Sequence, residues 1–528
     1  KKFLIRRRKQ DRKGQFCSLI QSESMDLLSI TVGLLAVLAV GWLISYLSGQ
    51  RRLPPGPPVV PILGSFPFMK FPLRNWLRQA KQRYGAVCSF QLNGRQVVFL
   101  NTYEAVKEAF VTQGALFSGR PRHIFSTRVM GNSGLVMTDG PSWKRHRRFS
   151  LQVLRDCGFG KIGSEDSIVK EALELAAALE ETRGQPVSTG NPFGKAVSNV
   201  ICMLVFGRRL ATEDPTFDEK LALINKITQQ GVSHPTLRSS VLVPLLTSLA
   251  PNFLMSMEAV KKSVKLFDEM FTFCQDEIEK KRSAYNLSDE PADYIEAYLA
   301  ERNRIEQRDP SEAAEFYGDK KLQVSIADLF MAGTDTTSNS LRWAALHLAK
   351  DQQMQDRLFK HVRDCLGGRP PTMSDRSRLP LIEAFLLESQ RVYTLIPGGV
   401  AHRAIEDTEL FGYLVPKNCN VMPNIEALHS DPEVFPEPEK FRIERFIDAN
   451  GKFAPSERVI PFSIGKRSCL GESLARMELF IFAIIIIQRF RIELPDDEAS
   501  RMAEILEGTP GTVKAPAEHK LIFKLREE

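Results

Sequence analysis

The residues with the strongest chemical signal lie in Phe462-Ser463-Ile464-Gly465-Lys466-Arg467-Ser468-Cys469-Leu470-Gly471. A cysteine stands two residues after an arginine in a glycine-containing loop, and the apolar run Leu474 to Ile487 follows at once. That run predicts a helix, whose N-terminal end carries the positive pole of the macrodipole. Backbone N–H groups, the dipole and Arg467 all favour a thiolate over a thiol at Cys469, and a thiolate is a nucleophile and a metal ligand. The other cysteines, at 17, 88, 157, 202, 274, 365 and 419, contain no Cys-x-x-Cys pair. They build neither a zinc-ribbon nor a disulfide framework. They read as small buried hydrophobes in a reducing compartment.

The loop resembles the haem-binding segment of the cytochrome P450 family, Phe-x-x-Gly-x-Arg-x-Cys-x-Gly, with Phe462, Gly465, Arg467, Cys469 and Gly471 at its fixed positions. The resemblance implies haem b as cofactor and Cys469 as the axial iron ligand that favours O–O cleavage. Ala332-Gly333-Thr334-Asp335-Thr336-Thr337 falls inside a long helical pattern. There glycine costs about 1 kcal/mol against alanine, and hydroxyl side chains bond back to helix carbonyls. Alone, this stretch also reads as a small-residue helix crossing. Beside the cysteine loop it is similar to the family's oxygen-activating helix. Breaking the O–O bond of dioxygen needs protons at its outer oxygen, and an acid and an alcohol can relay them from water. The resemblance implies that Thr336 steadies the oxygen and Asp335 supplies protons.

Glu388-Ser389-Gln390-Arg391 sets two charges on one helix face. The same spacing recurs at Glu180/Arg183, Glu279/Arg282, Glu301/Arg304 and Glu439/Arg442, so spacing alone says little. The 388/391 copy lies in the apolar stretch Leu381 to Tyr393, and Phe441-Arg442-Ile443-Glu444-Arg445-Phe446 follows. By resemblance Glu388, Arg391 and Arg445 form a structural triad behind the cysteine loop, Ile443 standing where relatives often carry proline. Trp143 and Arg147 are four apart on a helix face, either as part of a basic surface or as donors to a carboxylate. The resemblance makes them, with Arg120, His402 and Arg467, donors to the haem propionates. His402 reads equally as a satisfied turn histidine.

The elements that must position these groups read as mainly α with minor β sheets. Helical periodicity covers 103–112, 166–182, 192–206, 216–230, 258–284, 292–302, 321–350, 351–366, 379–392 and 471–488. Val87 to Leu100 alternates around Asn93-Gly94, a hairpin signal. Prolines and short runs between 397 and 468 predict meander and minor sheet, and Val513 to Leu525 a last strand pair. Leu27 to Leu47 carries no charge and is long enough to span a bilayer as a helix. Residues 1–24 hold eight Lys/Arg and two Asp/Glu, a net +6 of the chain's +8, which leaves 8 − 6 = +2 for the rest. A nucleic-acid reading of the basic balance therefore fails. The organisation expected is a basic extension, 1–24, which is either non-native (Met25 precedes the anchor) or an organelle-targeting segment, followed by a transmembrane anchor, 25–48. A Pro-rich hinge, 49–64, then leads to one catalytic domain, 65–528.

The chain is thus similar to a microsomal monooxygenase of the family-2 type, with the cytochrome P450-like fold and an N-terminal transmembrane helix. The resemblance implies an endoplasmic reticulum membrane location, the catalytic domain facing the cytosol, with mitochondria as the alternative. It implies electrons from NADPH through NADPH-cytochrome P450 reductase, with cytochrome b5 as a second donor. Lys144, Arg145, Arg148, Lys440, Arg442 and Lys466 would offer that acidic donor a basic face. A lipophilic substrate (fatty acid, steroid or xenobiotic) is expected, meeting Ile124 to Ser133, Phe330, Ala332, Gly333, Leu395 to Val400 and Gly508 to Thr512. Arg128 could meet a fatty-acid carboxylate, and Val241 to Leu254 could dip into the membrane or form a core helix pair. The competing readings are a haem-thiolate peroxide isomerase, whose relatives tend to lack the acid–alcohol pair, and a non-catalytic haem sensor.

Overall fold

The computed structural model describes residues 52–60, 64–68, 73–92, 95–122, 124–157, 162–210, 214–230, 257–509 and 511–526. The basic extension, Leu27 to Leu47, Asn93-Gly94 and Val241 to Leu254 lie outside the described residues. Among the described residues no helix is long and apolar enough to cross a membrane. The chain divides into two units, Lys1–Pro54 with Gly412–Leu414, and Pro55–Phe411 with Val415–Glu528. Of the first, Arg52–Pro54 and Gly412–Leu414 are described; everything below concerns the second.

The longer helices are α1 (Gly140–Cys157), α2 (Ile162–Glu180), α3 (Gly190–Phe206), α4 (Phe217–Gln230), α5 (Glu258–Ala284), α6 (Tyr294–Glu306), α7 (Asp319–Lys350), α8 (Gln352–Leu366), α9 (Pro380–Tyr393) and α10 (Glu472–Arg489). Periodicity locates α2 to α10 to within a few residues. Helix α1 escapes it because its buried stripe, Trp143, His146, Ser150, Val153 and Leu154, mixes polar with apolar residues. Asp351 both ends α7, its N–H bonding the His347 carbonyl, and caps α8, its carboxylate accepting from the Met354 N–H at 2.9 Å. Helix α10 is buried almost all round, from Leu479 to Ile487, as a helix apolar on every face must be. It packs against α2, α7, α8 and α9, while α7 packs chiefly on α3.

Strands β1 (Val87–Leu92) and β2 (Arg95–Leu100) form the expected antiparallel hairpin, Val87 opposite Leu100. Three further strands that join the larger sheets are β3 (Val187–Ser188), β4 (His402–Arg403) and β5 (Asn420–Pro423). The first sheet runs β1-β2-β5-β4, with β2 parallel to β5 and β4 antiparallel to it. A bridge from Gly119 to Arg403 brings the Arg120 segment alongside His402. The C-terminal strand pair expected within Val513 to Leu525 does not form. Instead β7 (Lys520–Leu525) pairs with β6 (Phe490–Glu493), directly after α10, and with β3. The reason is burial: β6 and β7 alternate, so Phe490, Ile492, Leu521 and Phe523 all face the main core.

Candidate functional site

Cys469 sits at the head of α10, in a loop held by its own backbone. Its N–H donates to the Phe462 carbonyl at 2.9 Å, and the Ser468 N–H to Gly465 at 3.1 Å. Gly465 has φ +80°, and a Cβ there would lie 1.9 Å from the Phe110 carbonyl oxygen. Only glycine lets the loop approach so closely. Phe110 belongs to a π-helical turn, Glu108–Thr112, and its ring stacks on His402.

The Cys469 side chain is solvent-accessible, yet protein surrounds it on most sides. Burial pushes its thiol above the usual value and Glu472 adds to this, against the Gly471 N–H and Arg147, which pull it down. Desolvation therefore opposes the thiolate that the Gly471 N–H and Arg147 favour.

Beside the loop is a cluster rich in donors and poor in acceptors. Arg467 donates to the Ser118 carbonyl at 2.9 Å and to Thr138 at 2.6 Å, and its guanidinium carbon lies 3.4 Å from the Trp143 ring centroid. Arg147 donates to the Ser468 carbonyl at 2.6 Å. Arg120 donates to the carbonyls of Val136 at 2.9 Å and Ala401 at 2.8 Å. Burial and mutual repulsion lower the Arg467 guanidinium to about 8 and that of Arg120 to about 10. Arg147 is lowered too, by burial. The nearby carboxylate, Asp139, is already bonded to Arg403 at 2.5 Å. Trp143 Nε1 and Arg467 Nη1 are buried without a partner. Orphaned donors among crowded cations fit an anion with several carboxylate oxygens, as haem propionates would supply.

His402 fits that role less well. Its Nδ1 lies 2.8 Å from the Phe117 carbonyl, so Nδ1 carries the proton and donates. Burial and Arg120 hold the ring far below its ordinary range, hence neutral. Its other nitrogen is then an acceptor, the satisfied-histidine arrangement.

Across the site, Thr336 and Ala332 lie on one face of α7, with the Thr336 hydroxyl donating to the Ala332 carbonyl at 2.8 Å. A small, partly open cleft is lined by Thr336, Ser340, Trp343, Tyr393, Phe462 and Ala475. Thus α7, α9 and the start of α10 share one hollow. Asp335 turns away to Asn339, at 2.9 Å, and to Thr228. Burial raises its carboxyl to about 6, with Thr228, Asn339 and Arg342 restraining the rise. Two residues expected at the substrate pocket lie elsewhere. Phe330 is fully buried among Phe206, Phe217 and Phe273. Gly333 faces Ile201 of α3, where a Cβ would lie 2.9 Å from its side chain, so it serves the helix crossing. Leu395 does line the cleft, and Arg128 is exposed on the short helix Ile124–Val129.

Glu388, Arg391 and Arg445 come together. Both Glu388–Arg391 contacts are 2.7 Å, and Arg445 Nε is 3.4 Å from Glu388. The other copies of that spacing behave differently: Glu279/Arg282 and Glu301/Arg304 are exposed pairs, and Glu180 lies nearest Arg489. Of the six basic residues expected on the donor face, Arg145 pairs with Glu312, and Lys440 and Arg442 both pair with Glu437. Lys144, Arg148 and Lys466 are exposed.

Sequence reading missed Glu478, although a carboxylate inside the apolar run Leu474 to Ile487 was the signal. It is buried on α10 and bonds Thr337 of α7, and burial raises it from 4.5 to about 8. Folded Glu478 therefore stays protonated where the unfolded chain ionises, and stability falls as pH rises between about 4.5 and about 8, then levels. Glu478→Gln is expected to flatten that part of the profile. Melting temperatures of both proteins across this range check it, and parallel curves would contradict it.

The sequence model of the family described as Cytochrome P450 matches residues 54–523. Cytochrome P450 2B4 of Oryctolagus cuniculus is 36% identical over 473 residues, covering 89% of this chain and 93% of that protein. Cytochrome P450 2B19 of Mus musculus is 34% identical over 506 residues, covering 94% of this chain and 100% of that protein. Cytochrome P450 2J2 of Homo sapiens is 33% identical over 473 residues, covering 89% and 91%. The family binds haem b, and such relatives use NADPH electrons through a reductase. With the family model spanning most of its length, this chain belongs to the cytochrome P450 family and is a haem-dependent monooxygenase.

Proposed function

We propose that this monooxygenase is anchored in the endoplasmic reticulum membrane, faces the cytosol and oxidises a lipophilic substrate, a long-chain fatty acid foremost. The observation that carries the site assignment is the placement of the Cys469 loop and the unpartnered Trp143 and Arg467 donors next to one another, with Thr336 on the wall of the adjoining cleft. Cys469 is the iron ligand, and Trp143, Arg120, Arg147 and Arg467 hold the propionates. Phe462 and Gly465 shape the loop, and Glu388, Arg391 and Arg445 brace it. Haem b bound there supplies the oxygen-activating chemistry. The Thr336 hydroxyl, its hydrogen given to Ala332, offers its lone pairs to the cleft and accepts or passes a proton there. Asp335, its carboxyl raised to about 6, can take up and release a proton near neutral pH in the same helical turn. Exposed Lys144, Arg148 and Lys466 attract the acidic surface of NADPH-cytochrome P450 reductase or cytochrome b5.

The test is a spectral titration of the ferric protein with a long-chain polyunsaturated fatty acid, a steroid and a drug-like amine, on wild type and Arg128→Ala. A saturable Soret shift with the fatty acid, weakened by Arg128→Ala, is expected; no fatty-acid shift with haem intact removes that substrate class. Thr336→Ala is expected to keep its haem but divert NADPH electrons to hydrogen peroxide. The ratio of product to NADPH consumed measures this, and an unchanged ratio contradicts the role of Thr336.

A further inference from the structure

Two oxidisable rings line the cleft. Trp343 of α7 and Tyr393 of α9 stack with centroids 4.4 Å apart and planes 12° from parallel. Behind them the Tyr393 hydroxyl lies 2.9 Å from Nδ1 of His347, one helical turn beyond Trp343. His347 stacks in turn on Phe441, centroids 3.6 Å apart. Core packing explains the stacking. It does not call for a buried phenol bonded to a buried imidazole at the wall of an oxidising site.

Burial lowers the His347 ring to about 4 and raises the Tyr393 phenol, so both are neutral at rest. His347 Nε2 is buried without a partner. We assign its proton to Nε2, which leaves Nδ1 to accept from the Tyr393 hydroxyl. The phenol thus has a base within proton-transfer reach.

We propose that Trp343, Tyr393 and His347 form a redox relay that withdraws an oxidising equivalent from the cleft when substrate does not consume it. The oxidant is peroxide-derived, arising from O2 and NADPH in uncoupled turnover or from an added organic hydroperoxide. One electron passes from Tyr393, through the stacked indole, to that oxidant, which is reduced by one electron. The phenolic O–H bond breaks, and its proton forms a new N–H bond at His347 Nδ1. The products are a neutral tyrosyl radical and an imidazolium, which nearby Asp351 favours and Lys350 opposes. One electron from a thiol-class reductant, with return of the proton, restores the phenol. The Lys514 ammonium, 5.2 Å from the Trp343 ring centroid, disfavours a lasting positive charge on the indole. The oxidised state therefore settles on Tyr393, where proton loss cancels the charge.

The test mixes haem-loaded full-length protein with an organic hydroperoxide, freezes it rapidly and records the electron paramagnetic resonance spectrum. Wild type is expected to give a radical signal that narrows when its tyrosines are ring-deuterated. Tyr393→Phe is expected to lose that signal. His347→Gln, which keeps an acceptor but cannot hold the proton, is expected to diminish it, with haem absorbance equal in all three proteins. A signal that survives Tyr393→Phe, or no tyrosine signal with haem intact, overturns the relay. Should either variant fail to retain haem, a nitroso spin trap on wild type decides by peptide mapping. An adduct at Tyr393 supports the proposal, and adducts elsewhere or none refute it. Wild type that takes up no haem would overturn the reading of the site as well.

Discussion

Cys469→Ala is expected to fold as wild type does and to lose NADPH-dependent product formation entirely. The loop does not depend on the sulfur. The Cys469 and Ser468 N–H bonds, Arg147 on the Ser468 carbonyl and Arg467 on the Ser118 carbonyl are all made by other atoms. An unchanged melting curve is therefore expected for the protein without cofactor. The reduced carbon monoxide complex should lack the red-shifted Soret band that thiolate ligation produces. A variant that keeps both that band and turnover would place the iron ligand on another residue.

Glu388→Ala should be the most destabilising single change at the site. Glu388 and Arg391 are 0% and 1% exposed, and Glu388 also accepts the Arg442 N–H at 2.8 Å. Deleting it leaves one guanidinium wholly buried, a second half-bonded and an N–H without its acceptor, a loss of about 3–5 kcal/mol. The damage should travel. Arg391 Nη1 holds the carbonyls of His429 and Pro438, each at 2.8 Å. His429 in turn bonds Thr394 at 3.0 Å and accepts the Ile460 N–H at 3.0 Å, two residues before Phe462. Haem retention and melting temperature should fall together. Glu301→Ala is the control: its bond to Arg304 is exposed, and such pairs are worth less than about 1 kcal/mol. Equal losses in the two variants would show that the 388 cluster does not brace the loop.

The contrast between these two glutamates shows where sequence reading stops. Both stand three residues before an arginine, and nothing in the spacing tells a core cluster from a solvated pair. The apolar neighbours of Glu388 hinted at the difference, and burial decided it. Helix α1 shows the same limit. Its core stripe includes His146 and Ser150, whose partners, the Phe316 carbonyl and the Tyr294 hydroxyl, come from distant segments. The sequence therefore looks polar where the fold is buried.

What the sequence by itself determined was local. It placed most helix spans through their apolar period, the β1–β2 hairpin through its alternation, and the cysteine loop through five residues at set spacing. These properties depend on neighbours a few positions away. Tertiary structure alone decided the properties that depend on distant ones. It set β7 against β6, a pairing that faces both strands to the core. It turned Phe330 and Gly333 from the cleft into helix packing. It desolvated Cys469 against a favourable loop, and it brought Trp343, Tyr393 and His347 from two helices into one bonded stack. Desolvation and side-chain pairing are sums over everything nearby in space, and a linear pattern does not contain that sum.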